Sequence, residues 1–177
     1  MSGPDASGRS AGPGRAGFEE FVAARRQALL RTAYLLTGSH DDAEDLVQVA
    51  LVKAVPHWGR IAHHPEPYVR TILARESVSR WRRRRWREVP TEVLPDRVAP
   101  PGVDRSDGLD LRAALALLAP RQRAVVVLRY YEDLTERQTA DALGVSVGTV
   151  KSQARDALAR LRTLVPGLDD ETATTRG

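Results

Sequence analysis

From Phe18 to Leu36 the apolar residues Phe18, Phe21, Val22, Leu29, Ala33 and Leu36 fall at helical intervals, and Thr37-Gly38 ends the pattern. Ser39 opens a second helix. Asp42 stands three residues on, as in a capping box, and Asp41 and Glu44 add charge favourable at a helix start. Ala43, Leu46, Val47, Ala50, Leu51 and Ala54 form its apolar stripe, and Pro56 and Gly59 help to close it. A third helix is predicted from Pro65–Pro67 to about Arg85, with Val69, Ile72 and Leu73 as its stripe. Glu76 and Arg80 then occupy that same face at an i,i+4 spacing that allows an ion pair. The first half of this helix therefore packs, while its second half faces something charged.

Residues 90–108 carry Pro90, Pro95, Pro100 and Pro101 with scattered charges and no periodicity, the composition of a linker. Beyond it, Leu111, Leu115 and Leu118 make a short helix that closes before Pro120. Pro120 suits the first turn of the next helix, which carries Val125, Val126, Leu128 and Tyr131. Thr135 caps a third helix with Gln138 completing the box, Gly144 ends it, and Ser146 caps a fourth that runs to about Arg162. The only β-branched run, Val125-Val126-Val127, lies inside this helical pattern. The expected fold is all-α: a leader (1–16), a helical domain (17–89), a flexible Pro-rich linker (90–108), a second helical domain (109–165) and a tail (166–177). Nothing in the pattern fixes how the two domains sit against each other.

Composition sharpens this picture. Aromatic residues are 5% of the 177, so the cores rest on Leu, Val and Ala. The net charge of +4 leans toward polyanions. Lys53 and Lys151 are the only lysines, and Arg, which supplies the rest, forks onto phosphate oxygens and guanine edges. A GC-rich genome would produce the same bias. The absence of cysteine excludes disulfides and Cys-ligated metal centres and suits a reducing cytoplasm. The Gly-, Ser- and Pro-rich leader has no apolar run, so neither a signal peptide nor a membrane segment is expected. His40, His57, His63 and His64 lack metal-ligand spacing, and there is no phosphate-binding glycine loop or nucleophile elbow. No catalytic residue, metal or cofactor is predicted, and an enzyme is not expected.

Three constellations remain. The first is a helix–turn–helix, with Thr135–Leu143, the turn Gly144-Val145-Ser146 and Val147–Leu161. Val147, Val150, Ala154, Ala157, Leu158 and Leu161 share one side of its second helix, while Gly148, Thr149, Ser152, Arg155 and Asp156 face outward and Lys151 flanks them. Short polar and basic groups on the N-terminal half of a packed helix suit major-groove reading. The second is Arg80-Trp81-Arg82-Arg83-Arg84-Arg85-Trp86-Arg87, where arginines suit phosphates and tryptophans offer faces for unpaired bases. The third is the acidic start of the second helix, where Asp45 and Gln48 lie one turn apart on the polar face without a capping role.

In this order and spacing, Asp42-Ala-Glu-Asp-Leu-Val-Gln48, Trp81 to Val89 and Gly144-Val-Ser-Val-Gly-Thr-Val-Lys-Ser152 resemble the extracytoplasmic-function (group IV) sigma factors of bacterial RNA polymerase, over about Gly17 to Val165. The resemblance implies a cytoplasmic protein whose partners are core RNA polymerase and promoter DNA, with room for an anti-sigma factor. It places Asp42, Asp45 and Gln48 on the polymerase clamp helices. Arg75, Arg80, Trp81, Arg82, Arg83, Arg84, Arg85 and Trp86 would serve the minus-ten element and strand opening. Ser146, Thr149, Lys151, Ser152, Arg155 and Asp156 would meet the minus-thirty-five element.

Two positions depart from the family pattern. Asp156 stands where relatives often carry a basic residue, and a carboxylate there can accept from a cytosine amino group. Arg75 and Glu76 fall where relatives tend to have Asn and an apolar residue, near the loop that reads the minus-ten element. Two rival readings are a stand-alone operator-binding regulator, which has no need of base-stacking tryptophans in its other domain, and an adaptor acting only through protein contacts, which has no need of two DNA faces.

Overall fold

The computed structural model describes residues 13–87 and 110–165, with side chains from 14 to 83 in the first stretch. The leader up to residue 12, the linker 90–108 and the tail 166–177 lie outside the described residues. Within them every regular element is helical. Helix α1 spans Pro13–Thr37, so residues 13–16, expected in the leader, are helical. An Arg15–Glu19 pair at i,i+4 supports the added turn, and Phe18 packs edge-on to Trp58 with ring centroids 5.0 Å apart.

Gly38 takes φ +77° and donates its N–H to the Tyr34 carbonyl, ending α1. Ser39 caps α2 (His40–Ala54), its hydroxyl accepting from the Asp42 N–H. Pro56 lies in the following 3₁₀ turn, Val55–His57. Gly59 sits inside the short α3 (Trp58–Ile61) rather than closing α2. Helix α4 spans Pro65–Arg87. Leu29, Ala33, Leu46, Val47, Val69 and Leu73 make the first core, as the helical stripes require.

The second half holds α5 (Leu111–Ala116), α6 (Pro120–Val126) continuing into a π-helical turn (Val127–Tyr131), α7 (Glu136–Leu143) and α8 (Val147–Leu164). Two expected apolar-face residues stay in solvent, Leu111 at 42% and Tyr131 at 48% exposure. Both stand at element ends, where no neighbouring helix covers them.

The six consecutive residues Arg123–Leu128 are all buried, because α6 runs between three packing surfaces. Val125 packs with Ala140 and Val150 of the helix–turn–helix, and Val126 with Leu115 and Leu161. Ala124 and Val127 join the core of α1, α2 and α4. A helix apolar all round is a buried helix, and here the burial comes from both halves of the chain at once.

Two arginines tie the halves reciprocally. Arg123, 9% exposed, donates to the carbonyls of Leu36 near the end of α1 (3.0 Å), of Ala116 at the end of α5 (2.5 Å) and of Leu118 just beyond it (3.2 Å). Arg75 of α4 donates to the Asp141 and Ala142 carbonyls at the end of α7, at 2.9 and 2.6 Å. Both satisfy helix-end carbonyls that lack an intrahelical donor and place positive charge at the negative end of the helix dipole. A third tie is Glu132, which follows the π-helical turn. It accepts from Thr32 of α1 and pairs with Arg70 of α4 at 2.6 Å.

Candidate nucleic-acid and polymerase interfaces

The helix–turn–helix is fixed by three local devices. Thr135 and Gln138 form a reciprocal capping box, with bonds of 3.2 and 2.8 Å. Gly144 adopts φ +67°, and the Val145 N–H returns to the Ala140 carbonyl at 3.0 Å. That left-handed close is one that side chains with a Cβ resist. Ser146 caps α8, accepting from the Thr149 N–H at 3.1 Å, with its hydroxyl 2.9 Å from the Thr149 hydroxyl. Ser146 thus has a structural role beside any contact with DNA.

On α8, Val150, Ala157 and Leu161 are buried, whereas Val147, expected on the packed side, remains 36% exposed in the first turn. Lys151, Arg155 and Asp156 are exposed, and Thr149 and Ser152 are half-buried. Lys151 lies 3.6 Å from Glu136, and the Arg155 Nε donates to Asp156 at 3.1 Å. Ser152 donates to the Thr149 carbonyl. The outward face of α8 is therefore two-signed, with two exposed cations and one carboxylate that partly occupies one of them.

On α4, Trp81 is 40% exposed, Arg82 and Arg83 are exposed, and Arg80 is half-buried. Arg84, Arg85 and Trp86 continue the helix, but their side chains lie outside the described residues. Glu76 does not pair with Arg80. It pairs with Lys53 of α2 and, at 3.3 Å, with Arg83. Burial pushes the Glu76 carboxyl up, yet hydrogen bonds and charge from Lys53 and Arg83 outweigh burial and hold it below the usual carboxylate range. A carboxyl lowered on folding adds stability above its ordinary pKa and loses it as pH falls through the folded value. Glu76→Gln is therefore expected to be less stable than wild type at neutral pH, with the gap closing in acid. Urea titrations at a series of pH values check this, and a gap independent of pH would contradict it.

On α2, Asp42 is half-buried beside the cap, and Asp45 and Gln48 are exposed. Glu44 pairs with Arg26. Asp45 has no ion pair among the described residues. The same face continues through Val52 and Val55, 64% and 52% exposed.

Residues 21–87 match the model of Sigma-70 region 2, and residues 108–161 that of Sigma-70, region 4. The RNA polymerase sigma-E factor of Streptomyces avermitilis is 45% identical over 148 residues, covering 82% of this chain and 83% of that protein. The ECF RNA polymerase sigma factor SigL of Mycobacterium tuberculosis is 33% identical over 156 residues, covering 84% of this chain and 86% of that protein. The chain belongs to the extracytoplasmic-function sigma factors. Members of this family direct bacterial RNA polymerase to promoters.

Among solved structures, this sigma factor is similar to RpoE in its co-crystal structure with the anti-sigma factor NepR from Bartonella quintana. The TM-score is 0.60 at 29% identity, over 83% of this chain and 95% of that one. The structure gathers the sequence-predicted residues of each face onto one helix apiece: Asp42, Asp45 and Gln48 on α2, Arg75 to Arg83 on α4, and Thr149 to Asp156 on α8. Arg75 departs from its expected place, because its guanidinium is engaged on α7.

Sequence reasoning missed Val52 and Val55 as surface residues. Val52 follows Asp45 by seven positions and Gln48 by four, so helical spacing placed it on the same polar face. An apolar residue on such a face was the available signal.

Proposed function

We propose that this sigma factor docks on core polymerase through Asp42, Asp45, Gln48 and Val52 of α2 and Val55 of the 3₁₀ turn that follows it. Arg80 to Trp86 then hold the minus-ten region as its strands part, and α8 is laid into the major groove of the minus-thirty-five element. Catalysis stays with the polymerase, in the cytoplasm where transcription occurs, and the sigma factor supplies address and melting. An anti-sigma protein, the kind of partner held by the Bartonella quintana relative, is a further proposed ligand. No helix among the described residues is long and apolar enough to cross a membrane.

The observation that carries the DNA assignment is the two-signed face of α8, packed behind by Val150, Ala157 and Leu161 and bare at Lys151, Arg155 and Asp156. A carboxylate beside phosphates is unfavourable unless it reads a base, and Asp accepts from the cytosine amino group. Asp156→Arg is therefore expected to change the preferred base at one minus-thirty-five position, by about 1–3 kcal/mol of discrimination. Transcription by the reconstituted polymerase from a randomised minus-thirty-five library reads this out. An unchanged preference would remove Asp156 from the reading set.

A further inference from the structure

Three arginines face one cleft. Arg75, Ser79 and Arg82 stand at i, i+4 and i+7 on α4, so their side chains share a face. That face lines a space of about 320 Å³ opposite the helix–turn–helix. Thr149 and Gln153, one turn apart on α8, line its other side, and Arg121 of α6 completes the basic set. Among the described residues no carboxylate lines the space.

These charges are not neutralised. Arg82 and Arg121 are exposed and have neither a hydrogen bond nor an ion pair among the described residues. Arg75 gives its Nε to the Ala142 carbonyl and its Nη2 to that of Asp141, which fixes the guanidinium without cancelling its charge. Arg121 also stands in the first turn of α6, at the end of the helix dipole that disfavours a cation. Like charges gathered around a concave space repel one another and focus a positive potential into it. Folding gains nothing from that arrangement, whereas an anion seated in the cleft gains from all three cations.

The rest of the lining narrows the ligand. Val78, Leu143 and Val145, all half-buried, give the cleft an apolar wall, and Ser79, Thr149 and Gln153 bring two hydroxyls and an amide. Small-ligand sites have this make-up, with apolar walls, a few polar groups and volumes from about 300 Å³ upward. A bare phosphate would leave the apolar wall unused. A duplex, whose major groove alone is about 12 Å across, is too large to enter. We propose that the cleft binds a nucleoside triphosphate, its phosphate chain on Arg75, Arg82 and Arg121 and its base against Val78, Leu143 and Val145. Guanidinium forks match paired phosphate oxygens. The site stands on these side chains and does not depend on which promoter bases α4 and α8 meet.

Isothermal titration calorimetry of the full chain with ATP, free of magnesium so that the phosphates keep their charge, tests this. Saturable binding is expected, weakened about tenfold or more by Arg121→Ala. Arg160→Ala removes an exposed arginine of α8 that does not line the cleft, and should leave binding unchanged. Because Arg121 is unpaired and faces like charges, its loss should not lower the midpoint of thermal unfolding, which separates a lost contact from a damaged fold. Inorganic tripolyphosphate, which carries the charge without the base, should bind more weakly than ATP.

Absence of ATP binding at about 1 mM would overturn the inference. Equal weakening by Arg121→Ala and Arg160→Ala would overturn it too, reducing the binding to a general attraction between a basic protein and polyanions. Tripolyphosphate bound as tightly as ATP would show that the apolar wall meets no base, and would overturn the assignment to a nucleotide.

Discussion

Asp45→Arg is expected to abolish stable capture of core RNA polymerase, weakening binding by at least about a hundredfold while leaving the fold intact. Asp45 is exposed and has no ion pair among the described residues, so reversing its charge breaks nothing within the protein. It lies on the same α2 face as Gln48 and the exposed Val52, continued by the exposed Val55 just beyond the helix. Apolar side chains surrounded by polar ones suit a desolvated interface centre. A charge reversed inside such a centre costs about 2–5 kcal/mol or more, since the partner's charge is left buried and opposed. Glu44→Arg is the control on the same helix: it removes the Arg26 pair and should affect binding far less. Pull-down of core polymerase, with circular dichroism to verify folding, separates the two outcomes.

Arg123→Ala is expected to produce the largest loss of stability of any single substitution considered. Its guanidinium serves three carbonyls at two helix ends, and the residue is 9% exposed. Alanine strands those acceptors and opens a cavity beneath Leu36 and Leu118. Each buried group left unpaired costs about 1–3 kcal/mol, and the loss should total about 3 kcal/mol or more. At roughly 2–4 °C per kcal/mol for a chain of this size, the midpoint of thermal unfolding should fall by about 10 °C. Scanning calorimetry reads this directly, and a fall of only one or two degrees would mean that the caps are dispensable. Lysine at this position would recover little, since one ammonium cannot reproduce the fork.

The helices themselves could be read from the chain because local chemistry set them. Ser39, Thr135 and Ser146 cap their helices as expected, with Thr135 and Gln138 paired as their spacing implied, and Gly144 closes α7 in the left-handed conformation that its place in the turn required. The start of α1 was less readable, because Pro13 to Gly17 resembles a leader in composition while Phe18 and Trp58 meet only in three dimensions. The packing of the two halves was not readable at all. Ala124 and Val127 look like members of a single helix stripe, Arg123 looks like one of many surface arginines, and Arg75 drew notice only as a candidate for DNA. Only the fold shows that they cross from one half to the other. Glu76 is similar: its sequence neighbour at i,i+4 is Arg80, but the nearer cations in space are Lys53 and Arg83.

The site residues divide along the same line. Residue types and helical periodicity placed Asp45, Gln48, Lys151 and Arg155 on exposed faces. Val52 and Val55 are exposed on the same face, where apolar residues among polar ones were the signal that the sequence offered. Arg75 closes the end of α7, a contact that no local pattern in the sequence indicates.

The most direct test of the central claim is a gel-shift titration on a duplex promoter containing both elements, with the sigma factor alone, core polymerase alone and the two together. A sequence-specific complex that needs both proteins, and weakens when either promoter element is scrambled, is the expected result. Tight, specific binding by the protein alone, unchanged by core polymerase, would contradict it and mark the chain as an operator-binding regulator.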